Sequence, residues 1–317
     1  MKRRTFIQKS VLATAGLPLV SLLQACNTAD SSKEDKVSEN LSDNPMQQYI
    51  DNIGIQLWTV RNQMAEDPAT TLKTIKDLGY HQIEMGSIMN MSNVVEIAKD
   101  LDLKINSSFF SMCHLIGGWE YMEAEAPKHY NFENVLEDAQ KIGIDALVFG
   151  YLFPQQRGSL DAYRSYAEVL NKAGEQCKNA GIQLCYHNHS FEFEPMEDSN
   201  PFEILIQDFD KDLVKFELDV FWASIGNYDP IELMERLDGR IHQLHLKDKL
   251  KDTPTIFDES KVPEEAYKEL GNGVVDIKTA LSIAEKIGVK YCHVEQDYSP
   301  NPLESIEVSM DYLKNLG

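Results

Sequence analysis

From residue 53 onward the chain alternates two hydrophobic patterns. Short apolar runs that fit buried strands occupy 53–58, 82–85, 104–109, 146–150, 183–187, 214–219, 242–247 and 291–295. Between them, apolar positions recur every three or four residues and predict helices over 70–78, 94–100, 135–142, 162–180, 202–206, 230–237, 277–287 and 302–316. Gly79, Gly143, Gly181 and Gly288 stand where helices should stop, because the position after a helix favours positive φ. Asp67-Pro68, Asp229-Pro230 and Asn301-Pro302 read as a capping residue followed by a first-turn proline. Eight strand–helix units without a linker predict an α/β protein, a single (β/α)8 barrel domain over 48–317. A doubly wound dinucleotide fold is disfavoured, since no GxGxxG follows the first strand.

In such a barrel the active site lies at the carboxyl ends of the strands. Polar residues collect at those ends: Gln56 and Trp58 after the first strand, Glu84 on the second, and Tyr186-His187-Asn188-His189 with Glu192 at the fifth. Asp219 ends the sixth strand with Trp222 just beyond, His245 and Lys247 end the seventh, and Glu295 the eighth. Strand side chains alternate between faces, so His187 can share a face with His189, and His245 with Lys247. His242 is out of phase with His245 and should face the helix layer, whereas His293 shares the face of Glu295 one layer deeper.

Taken alone, a strand-end Asp is commonly a helix cap and a His pair is often structural. Asp219, His245 and Glu295 on successive neighbouring strands instead suit one divalent cation of the Mn, Mg, Zn or Co type, with His187 the best-placed fourth ligand. Phe109, Trp58 and Trp222 are candidate aromatic walls for a sugar; barrel-rim packing is the plain alternative. The charge run from Glu259 to Glu265 reads as a solvated loop.

The first residues read as an address. Lys2, Arg3 and Arg4 precede an apolar stretch over 11–23, short of the roughly 20 residues a spanning helix needs. Arg3-Arg4-Thr5-Phe6 resembles a twin-arginine export motif, and Leu23-Gln24-Ala25-Cys26 resembles a lipobox. The expectation is a signal over 1–26, lipidation at Cys26 and a polar, flexible tether over 27–47, giving an exported, periplasmic or membrane-anchored protein.

Composition narrows the function. The 317 residues carry a formal charge of −21, which repels phosphate polymers and opposes a nucleic-acid partner. The five cysteines are scattered without a CxxC pair, so neither a disulfide scaffold nor a zinc ribbon is expected, and Cys185 should be buried on the fifth strand. The only glycine-rich stretch that could nest a phosphate is Gly271-Asn272-Gly273, and the expected ligand is an unphosphorylated sugar.

The strings LCYHNHSFEF, FELDVFWASIGNYDP, GRIHQLHLKD, ELGNGVVDI and CHVEQD resemble the xylose-isomerase-like barrel superfamily, the group of sugar phosphate isomerases and epimerases. That group also includes inosose dehydratases, 3-keto-glycoside lyases and endonuclease IV. The resemblance implies a (β/α)8 barrel with one divalent metal held by strands five to eight. Carried over by position, the ligands fall on Asp219, His245 and Glu295, while the fifth-strand ligand, a Glu in the epimerases, falls on His187. It further implies proton abstraction beside the carbonyl of a keto sugar, with Glu295, His189 or Glu192 as acid and base and Lys247 beside the enediolate. Gln56, Trp58, Glu84, Phe109, Asn188 and Trp222 are the expected substrate-binding residues. Isomerisation or epimerisation leads; a keto-glycoside lyase or dehydratase, and a non-catalytic sugar-binding lipoprotein, are the alternatives. A nuclease is opposed by the charge and by Trp222, which stands where that relative would place a further His.

Overall fold

The computed structural model describes residues 46–89, 91–122 and 127–316. The expected signal, Cys26 and all but the end of the expected tether lie outside these residues. Met46 and Gln47 are described: Met46 is buried and Gln47 opens the helix Gln47–Asp51. Among the described residues no helix is long and apolar enough to cross a membrane.

Eight parallel strands close into a barrel: β1 (Gly54–Gln56), β2 (Gln82–Met85), β3 (Lys104–Phe110), β4 (Ala146–Phe149), β5 (Gln183–His187), β6 (Val214–Asp219), β7 (Ile241–Leu246) and β8 (Tyr291–Val294), with β8 pairing back onto β1. Each follows one of the expected apolar runs. The helices that cover them also match expectation, among them Pro68–Leu78, Leu160–Asn179 and Ile277–Lys286. Asp67 accepts the Thr70 N–H at 3.0 Å ahead of Pro68, and Asp229 accepts that of Ile231 at 2.8 Å; Asn301 makes no such side-chain bond. Gly79 stops its helix at φ 106°, a conformation open to glycine and costly for other residues.

Leu, Ile and Phe side chains fill the layer between barrel and helices, each contributing about 1.5–3 kcal/mol on full burial. The barrel interior is different. His245 stands opposite Asp219 on β6 and His293 on β8, and Glu217 opposite His187 on β5 and Gln243 on β7. Two register shifts assist this polar packing. One, between β6 and β7, falls at His242. The other, between β2 and β3, lets the consecutive Asn106 and Ser107 both bond interior groups, Gln82 and Glu84. Gly54 is required by the same packing, since a Cβ there would lie 2.4 Å from the His293 ring.

Candidate metal centre and active site

Asp219 is both the expected cap and an expected ligand. Its Oδ1 accepts the Trp222 N–H at 2.8 Å and starts the helix Val220–Ile225. Asn188 clamps the strand end by accepting the Asp219 N–H at 3.0 Å and donating to its carbonyl at 3.3 Å. That leaves Oδ2 for the site. It lies 3.8 Å from His245 Nδ1 and 4.0 Å from His187 Nε2, and His245 Nδ1 lies 2.7 Å from Glu295 Oε2. His187, Asp219, His245 and Glu295 each offer one atom within 4.8 Å of the others, and all four are buried.

These residues fit a divalent ion. Asp219 Oδ2, His245 Nδ1 and Glu295 Oε2 are buried and crowd together, with Lys247 Nζ as the cation that both carboxylates touch. Two imidazole nitrogens and two carboxylate oxygens converging in a buried site are a donor set for Mn, Mg, Zn or Co. The charge agrees. Lys247 Nζ meets Asp219, Glu295 and Asp297 at 2.9, 2.6 and 2.7 Å, so three carboxylates face one ammonium. Burial pushes Asp219 up to about 6 even with Lys247 beside it, which marks a carboxylate short of positive charge.

A second carboxylate layer lies beneath the imidazoles. Glu217 Oε1 is 2.9 Å from His187 Nδ1, and Glu84 Oε1 is 2.6 Å from His245 Nε2. An ionised carboxylate only accepts, so Glu84 holds one proton of His245 on Nε2; the surrounding carboxylates favour a second proton on Nδ1, which a metal bound there would displace. Gln243 donates to both Glu84 and Glu217, while Gln56 and Ser107 also donate to Glu84. Glu84, Glu217, His245 and His293 also converge within 4.8 Å, but Glu84 is already filled by these donors, so the layer orients the ligands above it. Burial raises Glu217 far above the carboxylate range with Glu84 adding to it; for Glu84, His245 outweighs burial and the shift is downward.

Above this floor opens a cavity of about 560 Å³, lined by Gln56, His187, His189, Glu295 and Asp297 and by the aromatic rings of Trp58, Phe109 and Trp222. Phe109 lies parallel to His245 with centroids 6.1 Å apart and covers the floor. His189 stacks on Phe191, and burial lowers its pKa to about 3, so the ring is neutral. Glu84 is brought to the centre but lies below the cavity rather than along it. Asn188 and Glu192 are not in its lining. Glu192 accepts from the Tyr186 hydroxyl at 2.7 Å and the His189 N–H at 2.8 Å, and so fixes the segment that carries His189.

One further expectation changes, and the glycine-rich stretch agrees with a ligand without phosphate. Glu259 is not in a solvated run: Arg157 grips it through two bonds of 2.9 and 2.8 Å, Tyr151 donates at 2.6 Å, and it lines the cavity. Ser260, Lys261, Glu264 and Glu265 are exposed as expected. In the Gly271-Asn272-Gly273 stretch, the N–H groups of Gly271 and Gly273 both reach Asp248 Oδ2 at 2.9 Å. The donors a phosphate would use already serve an internal carboxylate.

Glu217, Gln243 and Asp297 were absent from the expected site. Glu217 precedes Asp219 by two residues and Gln243 precedes His245 by two, so alternation puts each on the ligand's face without marking it as part of the site, and Asp297 lies beyond the end of β8. Cys185 is buried as expected, and the described cysteines are all free.

The family model of the xylose isomerase-like TIM barrel matches residues 72–316. An inosose dehydratase of Mesomycoplasma hyopneumoniae (strain J) is 25% identical over 272 residues, which cover 77% of this chain and 87% of that protein. An inosose dehydratase of Geobacillus kaustophilus is 33% identical over 93 residues, 29% of this chain and 30% of that protein's length. A crystal structure of a sugar phosphate isomerase/epimerase from Parabacteroides distasonis superposes with a TM-score of 0.64 at 22% identity, covering 83% of this chain and 93% of that one, a likeness of fold.

Proposed function

The chain belongs to the xylose isomerase-like TIM-barrel family, and from that premise we propose that it is a divalent-metal-dependent enzyme of sugar isomerase/epimerase type, acting on an unphosphorylated keto sugar. The observation that carries this reading is the convergence of His187, Asp219, His245 and Glu295, of which His187 and Glu295 line the cavity. A divalent ion held by these four would act as a Lewis acid and lower the pKa of the C–H beside a carbonyl. Glu295 is the base. Burial opposes its charge, but Lys247 and His245 outweigh burial and keep it ionised. Its Oε2 faces His245 and Lys247, which leaves the other oxygen to take the proton. Lys247, held charged by Asp219, Asp297 and Glu295 against its burial, places positive charge beside the oxygen that becomes an enediolate. His189 enters neutral and can accept and return a proton from the β5 side.

The fate of the enediolate decides the product. Reprotonation gives an isomer or epimer. Loss of a β-substituent gives a dehydratase or lyase, a reading favoured by the relatives named as inosose dehydratases. The occupied Gly271–Gly273 amides argue for a substrate without phosphate. A non-catalytic sugar-binding role would not need four matched donors backed by Glu84 and Glu217. NMR of products from a panel of keto sugars, with and without chelator, tests the proposal. Chelator-sensitive isomers or unsaturated products support it, and products indifferent to chelator count against it.

We also propose export, with the chain held at a membrane through lipid on Cys26. The Arg3-Arg4 pair and the LQAC string support this.

A further inference from the structure

The cavity is larger than one sugar needs. A hexose is six CH2O units, and at about the 30 Å³ that a water occupies in the liquid each, it fills roughly 180 Å³. The cavity measures about 560 Å³. Gln56, His187, Glu295 and Asp297 gather at the strand ends, whereas the segments beyond them contribute the large side chains of Trp58, Met112, Phe153 and Tyr267, with Ser87, Ser111 and Glu259 as polar groups among them.

Trp58 is distinctive among these. It is 50% exposed, although a side chain of this size gains more than almost any other from burial. Its position is nevertheless fixed: the Arg61 guanidinium sits 4.6 Å from the ring centroid and is itself pinned to the Trp58 carbonyl at 2.8 Å. One face of the indole is therefore backed by a cation, and the ring still borders the cavity. A held, half-exposed aromatic plate at the mouth of a site is a platform for the face of another ring.

We infer that the outer part of the cavity is a subsite for a second ring, and that the substrate is a glycoside: a reacting sugar on the His187–Asp219–His245–Glu295 floor joined to a pyranose or aryl ring stacked on Trp58. This rests on the sugar reading proposed above and extends it to the leaving or spectator group. The apolar wall then acts on binding and selectivity, and the floor on chemistry.

Calorimetric titration of the purified protein tests this with three ligands that lack a ketone and are not turned over: glucose, a β-linked glucose disaccharide and phenyl glucoside. The two-ring ligands should bind at least about tenfold more tightly than glucose, the equivalent of about 1.4 kcal/mol. Trp58→Ala should bring that ratio towards one, and Trp58→Phe, which keeps a ring, should fall between. The half-exposed position makes both variants compatible with folding, and thermal melts check it. A preference for the disaccharide over phenyl glucoside assigns the second ring to a sugar, and the reverse to an aryl group. Equal affinity for one-ring and two-ring ligands, no binding of any, or an unchanged ratio in Trp58→Ala would overturn the inference. Hydrogen exchange at keto sugars is measured separately. A two-ring preference without any such exchange would leave the subsite standing and remove the enolisation chemistry.

Discussion

Replacing Asp248 should loosen the loop between β7 and β8. Its carboxylate is 1% exposed and accepts four backbone N–H groups: Lys249 at 2.8 Å and Val275 at 2.9 Å on Oδ1, and Gly271 and Gly273 at 2.9 Å on Oδ2. The fit is tight, because a Cβ on Gly273 would lie 2.3 Å from Oδ1 and from the Lys249 carbonyl. A hydrogen bond to a charged group is worth about 1.5–3 kcal/mol, but water reaches some of these donors once the loop opens. Asp248→Ala should therefore cost about 3–5 kcal/mol locally, and Asp248→Asn, which keeps one acceptor oxygen, about half as much. Because loops open before the whole domain, loss should appear first as faster amide exchange over 268–276 and then as a lower urea midpoint. Tyr267 lines the cavity from this loop, so ligand affinity should fall as well. If exchange is unchanged and Asp248→Ala lies within about 0.5 kcal/mol of wild type, a size typical of changes at inert surface positions, the proposed clamp is wrong.

Asp219→Ala and Glu295→Ala should lose the roughly one equivalent of divalent metal expected in the wild type, read by elemental analysis. Glu84→Gln, which changes the carboxylate behind His245 and not a ligand, should weaken Co²⁺ binding about 10–100-fold and shift its visible spectrum; equal metal content and affinity in all of these would reject the centre. His242 is buried with its pKa lowered to about 3, first by burial and then by Lys290 and Lys215. The unfolded chain takes up this proton below about 6.5 and the folded chain does not, so stability falls as pH falls, by about 2 kcal/mol between pH 7 and 5. Urea melts at the two pH values should show that difference shrink by this amount in His242→Leu, and an undiminished difference contradicts the assignment. Cys26→Ser should move the protein from the membrane to the soluble fraction of cells, and a variant still bound to the membrane would refute the lipid anchor.

Much of the barrel was legible because parallel strands buried on both faces read as apolar runs and their polar ends interrupt them. The four candidate ligands were visible for the same reason, since Asp219, His245 and Glu295 end such runs. What lay beneath them was harder to see. Glu217 and Gln243 sit inside strands, where a polar residue signals only once its partners on β2 and β7 or β6 are known, and those contacts come from barrel closure. Glu259 read as solvent-facing because its partners, Tyr151 and Arg157, belong to the loop after β4 and only tertiary packing brings them near. The glycines at 271 and 273 carried a phosphate signal by composition, while the competing acceptor, Asp248, is far enough along the chain to escape a local reading.

The central claim is metal-assisted proton abstraction by Glu295, and hydrogen exchange measures that step whichever product forms. Keto sugars and keto-glycosides would be incubated with the metal-loaded protein in D2O and followed by NMR, beside chelator-treated protein and Glu295→Gln. Deuterium should appear at the carbon next to the carbonyl, or that proton should be lost in an unsaturated product, for at least one compound. Both signals should be abolished by chelator and reduced about 100-fold or more in Glu295→Gln, the scale on which a positioned general base acts. Retention of every C–H with all compounds, or exchange that is indifferent to chelator and to Glu295, would contradict it.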